Sequence, residues 1–288
     1  MTIINTPYVT CVDLGGTKLA IANIQNGEII AFHQVPICAD LSKDDFNAFL
    51  ISEITPFITN ACQGICIGVP GLVETGTGFV IEVLNIPNWQ NVELKTLIES
   101  TFKLPALIHN DANCFTYGIY NNAKYCHFDN LVGVTLGTGL GAGLILNSRL
   151  YTGKQSAAGE FGSFPYLDGI IEDYCSGQFF KRQGIDGLAT FQLAEAGDSN
   201  ALAIFAELGE HLGNAIIQVV QAFNPEVIVF GGSVSKSAPF FINTLQTTLQ
   251  NKLPPSVFNA LQIHFTQDTK TALFGAYYLF QVEVISCD

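Results

Sequence analysis

The sequence predicts an α/β fold built from two related lobes. Three observations predict it. Strand-like and helix-like stretches alternate along the chain, the pattern of α/β layers. One motif (apolar run, glycine turn, apolar run, two-residue turn, apolar run) occurs twice, about 120 residues apart. With 288 residues, 48% of them hydrophobic, the chain is long enough for two domains and apolar enough to bury a core.

Each element follows from its local pattern. Residues 9–35, VTCVDLGGTKLAIANIQNGEIIAFHQV, read as a β-meander whose Asn26-Gly27 marks a two-residue hairpin. KDDFNAFLISEITPFI has helical spacing, and QGICIGVPGLV is a strand broken by Gly-Val-Pro-Gly. VELKTLIESTFKLP is a helix stopping before Pro105, and ALIHNDANC a strand ending in polar residues. The meander then recurs as NLVGVTLGTGLGAGLILNSRLYTG. Asp13 to Asn26 spans 13 positions and Thr135 to Asn147 spans 12. ALAIFAELGEHLGNAIIQVVQAF is a long amphipathic helix before the strand in NPEVIVFGGS, and TALFGAYYLFQVEV a terminal helix. Glu172, in IIEDYCSG, is expected just ahead of a helix. No linker divides the chain. The expected lobes are residues 1–112 plus about 272–288, and 113–271, with the boundary near Asp111–Asn113.

Composition excludes several classes. A net charge of −13 repels nucleic-acid backbones and anionic membranes, and no Lys/Arg cluster offsets it. The start lacks a basic segment ahead of an apolar one, and no apolar run is long enough to cross a bilayer. A cytoplasmic protein is expected. The eight cysteines are scattered without a CxxC pair, so they read as buried free thiols rather than disulfides or zinc ligands.

The glycine turns carry the chemistry. Gly15 and Gly16 let backbone N–H groups approach a phosphate, Thr17 adds a hydroxyl and Lys18 a charge, while Asp13 can hold Mg²⁺ directly or through water. The second turn contains Gly137, Thr138, Gly139, Gly141, Ala142 and Gly143. It formally fits the GxGxxA dinucleotide fingerprint, with Glu160 where that fingerprint wants an acid. An NAD-dependent dehydrogenase would need a helix there. GLILNSRLY instead reads as a hairpin, and no GxxxxGK[ST] loop occurs. Two such hairpins can clamp an ATP polyphosphate. Gly231, Gly232 and Ser233 end a strand in a way that suits adenine or ribose. Asp111 is the candidate base for an attacking hydroxyl, and Asn110 offers donor and acceptor to a sugar. Both also suit an Asx turn or a helix N-cap. Glu160 and Glu172 are candidate acceptors for sugar hydroxyls or solvated loop acids.

DLGGTK, GVPGLVE, NDANC, LGTGLGAG, TGKQSAAGEFG, IEDYCSG and VIVFGGSVS occur in the order found in the ROK family (repressors, open reading frames, sugar kinases), which this chain resembles from about residue 9 to about 277. The resemblance implies a two-lobed actin/hexokinase (ribonuclease H-like) fold, with ATP and Mg²⁺ in an interlobe cleft beside a sugar. Asp111 would deprotonate the 6-hydroxyl. Asn110, Glu160 and Glu172 match sugar-binding positions, and Gly68, Pro70 and Gly71 match the loop lining the sugar pocket. NDANCF, TGKxxxxGEFG and IExYxSGxxF look most similar to bacterial N-acetylglucosamine kinases, with glucose the other favoured sugar. Homodimers are common among similar proteins, and a homodimer is expected. The chain departs from the family at GExGH and its CxCGxxGC zinc loop. Ser163 replaces the His, and SFPYLDGI holds no Cys, so no zinc is expected. Ser163 can still hydrogen-bond to sugar. A non-catalytic sugar-sensing regulator is the alternative. It is disfavoured because Asp13 falls too early for a DNA-binding domain ahead of it, the charge is acidic, and Asp111 is present.

Overall fold

The computed structural model describes residues 6–83 and 85–287. In chain order the elements are β1 (Tyr8–Leu14), β2 (Lys18–Gln25), β3 (Glu28–Pro36), α1 (Lys43–Ile54), β4 (Cys62–Val69), β5 (Leu72–Glu74), β6 (Phe79–Glu82), α2 (Leu94–Phe102), β7 (Ala106–Asn110) and α3 (Asp111–Tyr120). Then come β8 (Leu131–Leu136), β9 (Leu140–Leu146), β10 (Arg149–Tyr151), β11 (Pro165–Tyr166), β12 (Gly169–Ile170), α4 (Ile171–Cys175), α5 (Gly177–Arg182), α6 (Gly187–Glu195) and α7 (Ser199–Phe223). The last are β13 (Val227–Gly231), α8 (Ala238–Lys252), α9 (Pro255–Ala260), β14 (Gln262–Phe265) and α10 (Thr271–Glu283). Contacts group these into two compact units: residues 1–126, 150–158 and 270–288, and residues 127–149 and 159–269.

The first unit is built on the sheet β3-β2-β1-β4-β7. Asn26 (φ 51°) and Gly27 (φ 79°) make the left-handed pair that a tight β2–β3 hairpin needs. Strand alternation sorts the two faces. Val12, Leu14, Ile65, Ile67, Val69 and Ile108 join Phe46 and Leu50 of α1, Ile98 of α2 and Trp89 in one fully buried cluster. The alternate residues serve the opposite face. There a Cβ on Gly64 would strike the Phe280 ring, and one on Gly68 would lie 3.2 Å from Cys114 Sγ. That second layer is α10 crossing α3, so the terminal helix belongs to this unit.

The residues NDANC do not continue the strand. β7 stops at Asn110 because its side chain caps a helix: Oδ1 accepts from Asn113 N–H at 3.0 Å, and α3 begins at Asp111.

The second unit is built on the strand order β9-β8-β13-β14, which repeats the order β2-β1-β4-β7 of the first. Each centre strand pairs antiparallel with a hairpin partner and parallel with a later strand. The recurring motif in the sequence therefore corresponds to a recurring sheet. Asn147 and Ser148 both have positive φ, and Asp129 holds the turn by accepting from Ser148 Oγ–H at 2.5 Å. Asp198 caps α7, accepting from Asn200 and Ala201 N–H, and left-handed Asn224 ends it before Pro225.

Five cysteines (Cys11, Cys62, Cys66, Cys114 and Cys175) are buried free thiols. Cys38 and Cys126 are free but exposed, against the expectation of burial. Among the described residues no helix is long and apolar enough to cross a membrane.

Candidate active site

Three parallel strands of the first unit end together. Asp13 on β1 is the register partner of Gly68 on β4, and Gly68 is the partner of His109 on β7. The carboxyl ends of parallel strands are where open α/β sheets bind ligands. Asp13, Gly68, Pro70, Gly71, Asn110 and Asp111 all belong to this edge. The first glycine turn links β1 to β2, with Gly15 N–H donating to Lys18 O at 2.9 Å, and Thr17 and Lys18 exposed.

Asp111 is the first residue of α3, and its Oδ1 accepts from Ala112 N–H at 2.8 Å. Its carboxyl is raised from 3.8 to about 7, chiefly by burial and then by the negative charge of Asp13, while the Ala112 bond opposes. Burial also raises Asp13, to about 6. Two half-buried carboxylates with no cationic partner among the described residues form a ready site for proton or cation chemistry. Among the described residues no three His, Cys, Asp or Glu side chains group around a metal position. One or two carboxylates completed by substrate phosphates is the donor set that Mg²⁺ commonly takes, so Asp13 fits that ion.

Asn110 is more occupied than the sequence suggests. Besides capping α3, its Nδ2 donates to Gly71 O at 3.0 Å, so it ties β7 to the Gly-Val-Pro-Gly loop. Among the described residues, the side-chain amide of Asn113 has no partner. It is fully buried, with neither Oδ1 nor Nδ2 hydrogen-bonded. Sequence reasoning gave Asn113 no role, although it sits inside the NDANC motif.

In the second unit the other glycine turn joins β8 to β9. Residues 140–146 are a strand, so the dinucleotide reading is excluded: no helix follows the glycines to receive a pyrophosphate. The turn is braced by α4 and α5. Leu140 N–H donates to Glu172 Oε2 at 2.8 Å, and Gly177 N–H to Gly137 O at 2.8 Å. Ser176 Oγ lies 3.3 Å from Thr138 O. Glu172 thus stands inside α4 rather than ahead of a helix, and its carboxylate faces the turn. Glu160 precedes a short 3-10 turn (Phe161–Ser163) in which Ser163 is exposed. Gly231 pairs with Thr135 as Gly68 pairs with Asp13, and Gly232 and Ser233 follow it, exposed.

SFPYLDGI forms the β11–β12 hairpin. Arg182 binds both Asp168 oxygens (2.6 and 2.5 Å) and lies over the Tyr174 ring, 4.6 Å from its centre. Tyr174 OH donates to Asp168, and Tyr166 OH meets His211 Nδ1 at 3.0 Å. These partners lie up to 45 residues apart in the chain, too far for local patterns to reveal.

Fold and site together define an actin-like α/β protein with two glycine turns and a half-buried carboxylate pair. The chain belongs to the ROK family, whose profile it matches over residues 9–283. It is 27% identical to a glucokinase of Halalkalibacterium halodurans, over 85% of this chain and 86% of that protein. It is equally 27% identical to a xylose repressor of Bacillus spizizenii, over 78% of this chain but only 62% of the repressor. A ROK glucokinase from Streptomyces griseus, solved with glucose and AMPPNP, superposes with a TM-score of 0.80 at 24% identity, covering 94% and 98% of the two chains.

Proposed function

We propose that the protein is a sugar kinase that transfers the γ-phosphoryl group of ATP to the 6-hydroxyl of a hexose or N-acetylhexosamine, with N-acetylglucosamine and glucose the favoured substrates. The observation that carries this is Asp111, an enclosed carboxylate whose proton affinity is raised to about 7. A general base works best with a pKa near the working pH. Asp111 takes the 6-hydroxyl proton as that oxygen bonds to the γ-phosphorus and the bond to the β–γ bridging oxygen breaks, releasing ADP.

Gly15, Gly16, Thr17 and Lys18, with Gly137, Thr138, Gly139 and Gly141, supply N–H, hydroxyl and ammonium groups to the phosphate tail. Gly231, Gly232 and Ser233 are assigned to the nucleoside. Asp13 would hold Mg²⁺, which supplies charge neutralisation on the phosphates. The sugar falls to Gly68, Pro70, Gly71, Asn110, Glu160, Ser163 and Glu172. The S. griseus relative with glucose and AMPPNP supports both ligand classes. The protein is assigned to the cytoplasm as a homodimer, which light scattering tests.

The decisive experiment is coupled ADP release over a panel of hexoses and N-acetylhexosamines, with Asp111→Asn alongside. Release with one sugar and its loss in the variant are expected. A second reading, a sugar-responsive regulator, is favoured by the repressor relative. It predicts sugar binding without ADP release.

A further inference from the structure

The second glycine turn is tied down through its carbonyls. Gly177 N–H takes Gly137 O, Ser176 Oγ lies on Thr138 O, and the turn closes on itself through Gly137 N–H to Gly139 O at 3.0 Å. Among the described residues, Thr138 and Gly139 N–H have no hydrogen-bond partner, and these are the groups a phosphate oxygen would meet. At the foot of the turn, Leu140 N–H is held by the Glu172 carboxylate. A Cβ placed on Gly139 would lie 2.4 Å from Glu172 Oε2, so backbone and carboxylate are in direct contact. The single Ser176 Oγ–H is shared between the Thr138 carbonyl (3.3 Å) and the Glu172 carbonyl (2.8 Å). One side chain and the helical turn it starts therefore set the shape of residues 137–140.

We infer that Glu172 couples the two ligands: the carboxylate that holds the sugar also holds the phosphate turn. This deepens the kinase reading and rests on it, because it takes Glu172 as a sugar acceptor. A carboxylate has two oxygens and about four acceptor positions, so one oxygen can keep Leu140 N–H while the other accepts a sugar hydroxyl. With no sugar, Leu140 N–H holds one oxygen of that carboxylate and the other is left without a sugar hydroxyl. With sugar bound, Glu172 is fixed at both ends, and the turn is ordered before the nucleotide arrives. The nucleotide then meets a smaller ordering penalty, which appears as tighter binding. Coupling is reciprocal, so nucleotide tightens sugar by the same factor.

The experiment is calorimetric titration of MgAMPPNP, with and without saturating N-acetylglucosamine or glucose, whichever the ADP-release assay selects. In the wild type, sugar is expected to tighten MgAMPPNP about 5–150-fold, the usual span of such couplings. In Glu172→Ala the factor is expected to fall to about 1, measured at sugar concentrations raised to restore saturation. If that variant does not fold by circular dichroism, Glu172→Gln replaces it. The amide keeps the shape but is a weaker acceptor, and the factor is expected to drop severalfold. A full wild-type factor in either folded variant overturns the inference, as does a wild type that phosphorylates sugar with no coupling at all. A wild type that neither binds nor phosphorylates any hexose strikes instead at the kinase reading, which separates the two failures.

Discussion

Gly275 of α10 and Cys114 of α3 meet backbone to backbone: a Cβ on Gly275 would stand 1.6 Å from the Cys114 carbonyl oxygen. Gly118 makes the reciprocal approach, its added Cβ falling 2.1 Å from Thr271 O. The crossing brings the end of the chain against the helix that begins with Asp111. Gly275→Ala must push the two helices apart, because a carbonyl has no rotamer to move. The variant is expected to lose about 1–3 kcal/mol by urea denaturation, as overpacked cores do. Activity is expected to fall with it, since α3 carries the proposed base.

The raised carboxyl of Asp111 makes stability depend on pH. An acid whose folded pKa is about 7 and whose unfolded value is 3.8 favours the folded state most when protonated. That contribution is complete below pH 3.8 and is lost as pH rises through 7. Asp111→Asn, which cannot ionise, is therefore expected to be more stable than the wild type at pH 8, by about 2 kcal/mol allowing for its partial exposure. The gain should vanish near pH 4. The same variant is expected to lose about 10²–10⁴-fold in kcat. Thermal melts of the ligand-free protein at the two pH values, with initial rates at pH 8, check both signs.

Gly139→Ala is expected to raise KM for ATP about tenfold or more while leaving kcat less affected. The added methyl displaces the Glu172 carboxylate and breaks its bond to Leu140 N–H, a charge-assisted bond worth about 1.5–3 kcal/mol. Steady-state kinetics with ATP varied at saturating sugar read the effect.

Purified protein is expected to carry no stoichiometric zinc by elemental analysis, and prolonged chelation should not change its melting temperature. The β11–β12 hairpin is held instead by Arg182 on Asp168 and by Tyr166 on His211. Arg182→Ala is expected to speed hydrogen exchange across residues 165–170 without changing exchange in the β8–β9 pair.

The sequence by itself determined the alternation of elements, both glycine hairpins and the absence of a helix after Gly143. These follow from hydrophobic period and turn chemistry within a few residues. It also singled out Asp111, because a short polar motif follows an apolar strand. Tertiary structure decided the rest. Asn110 spends its amide on capping α3 and on Gly71 O. Glu172 reaches back 32 residues to Leu140. Asp111 owes its proton affinity to enclosure and to Asp13, nearly a hundred positions earlier. Partnerships across such separations are fixed by packing the sheet and its helices, and no local periodicity encodes them.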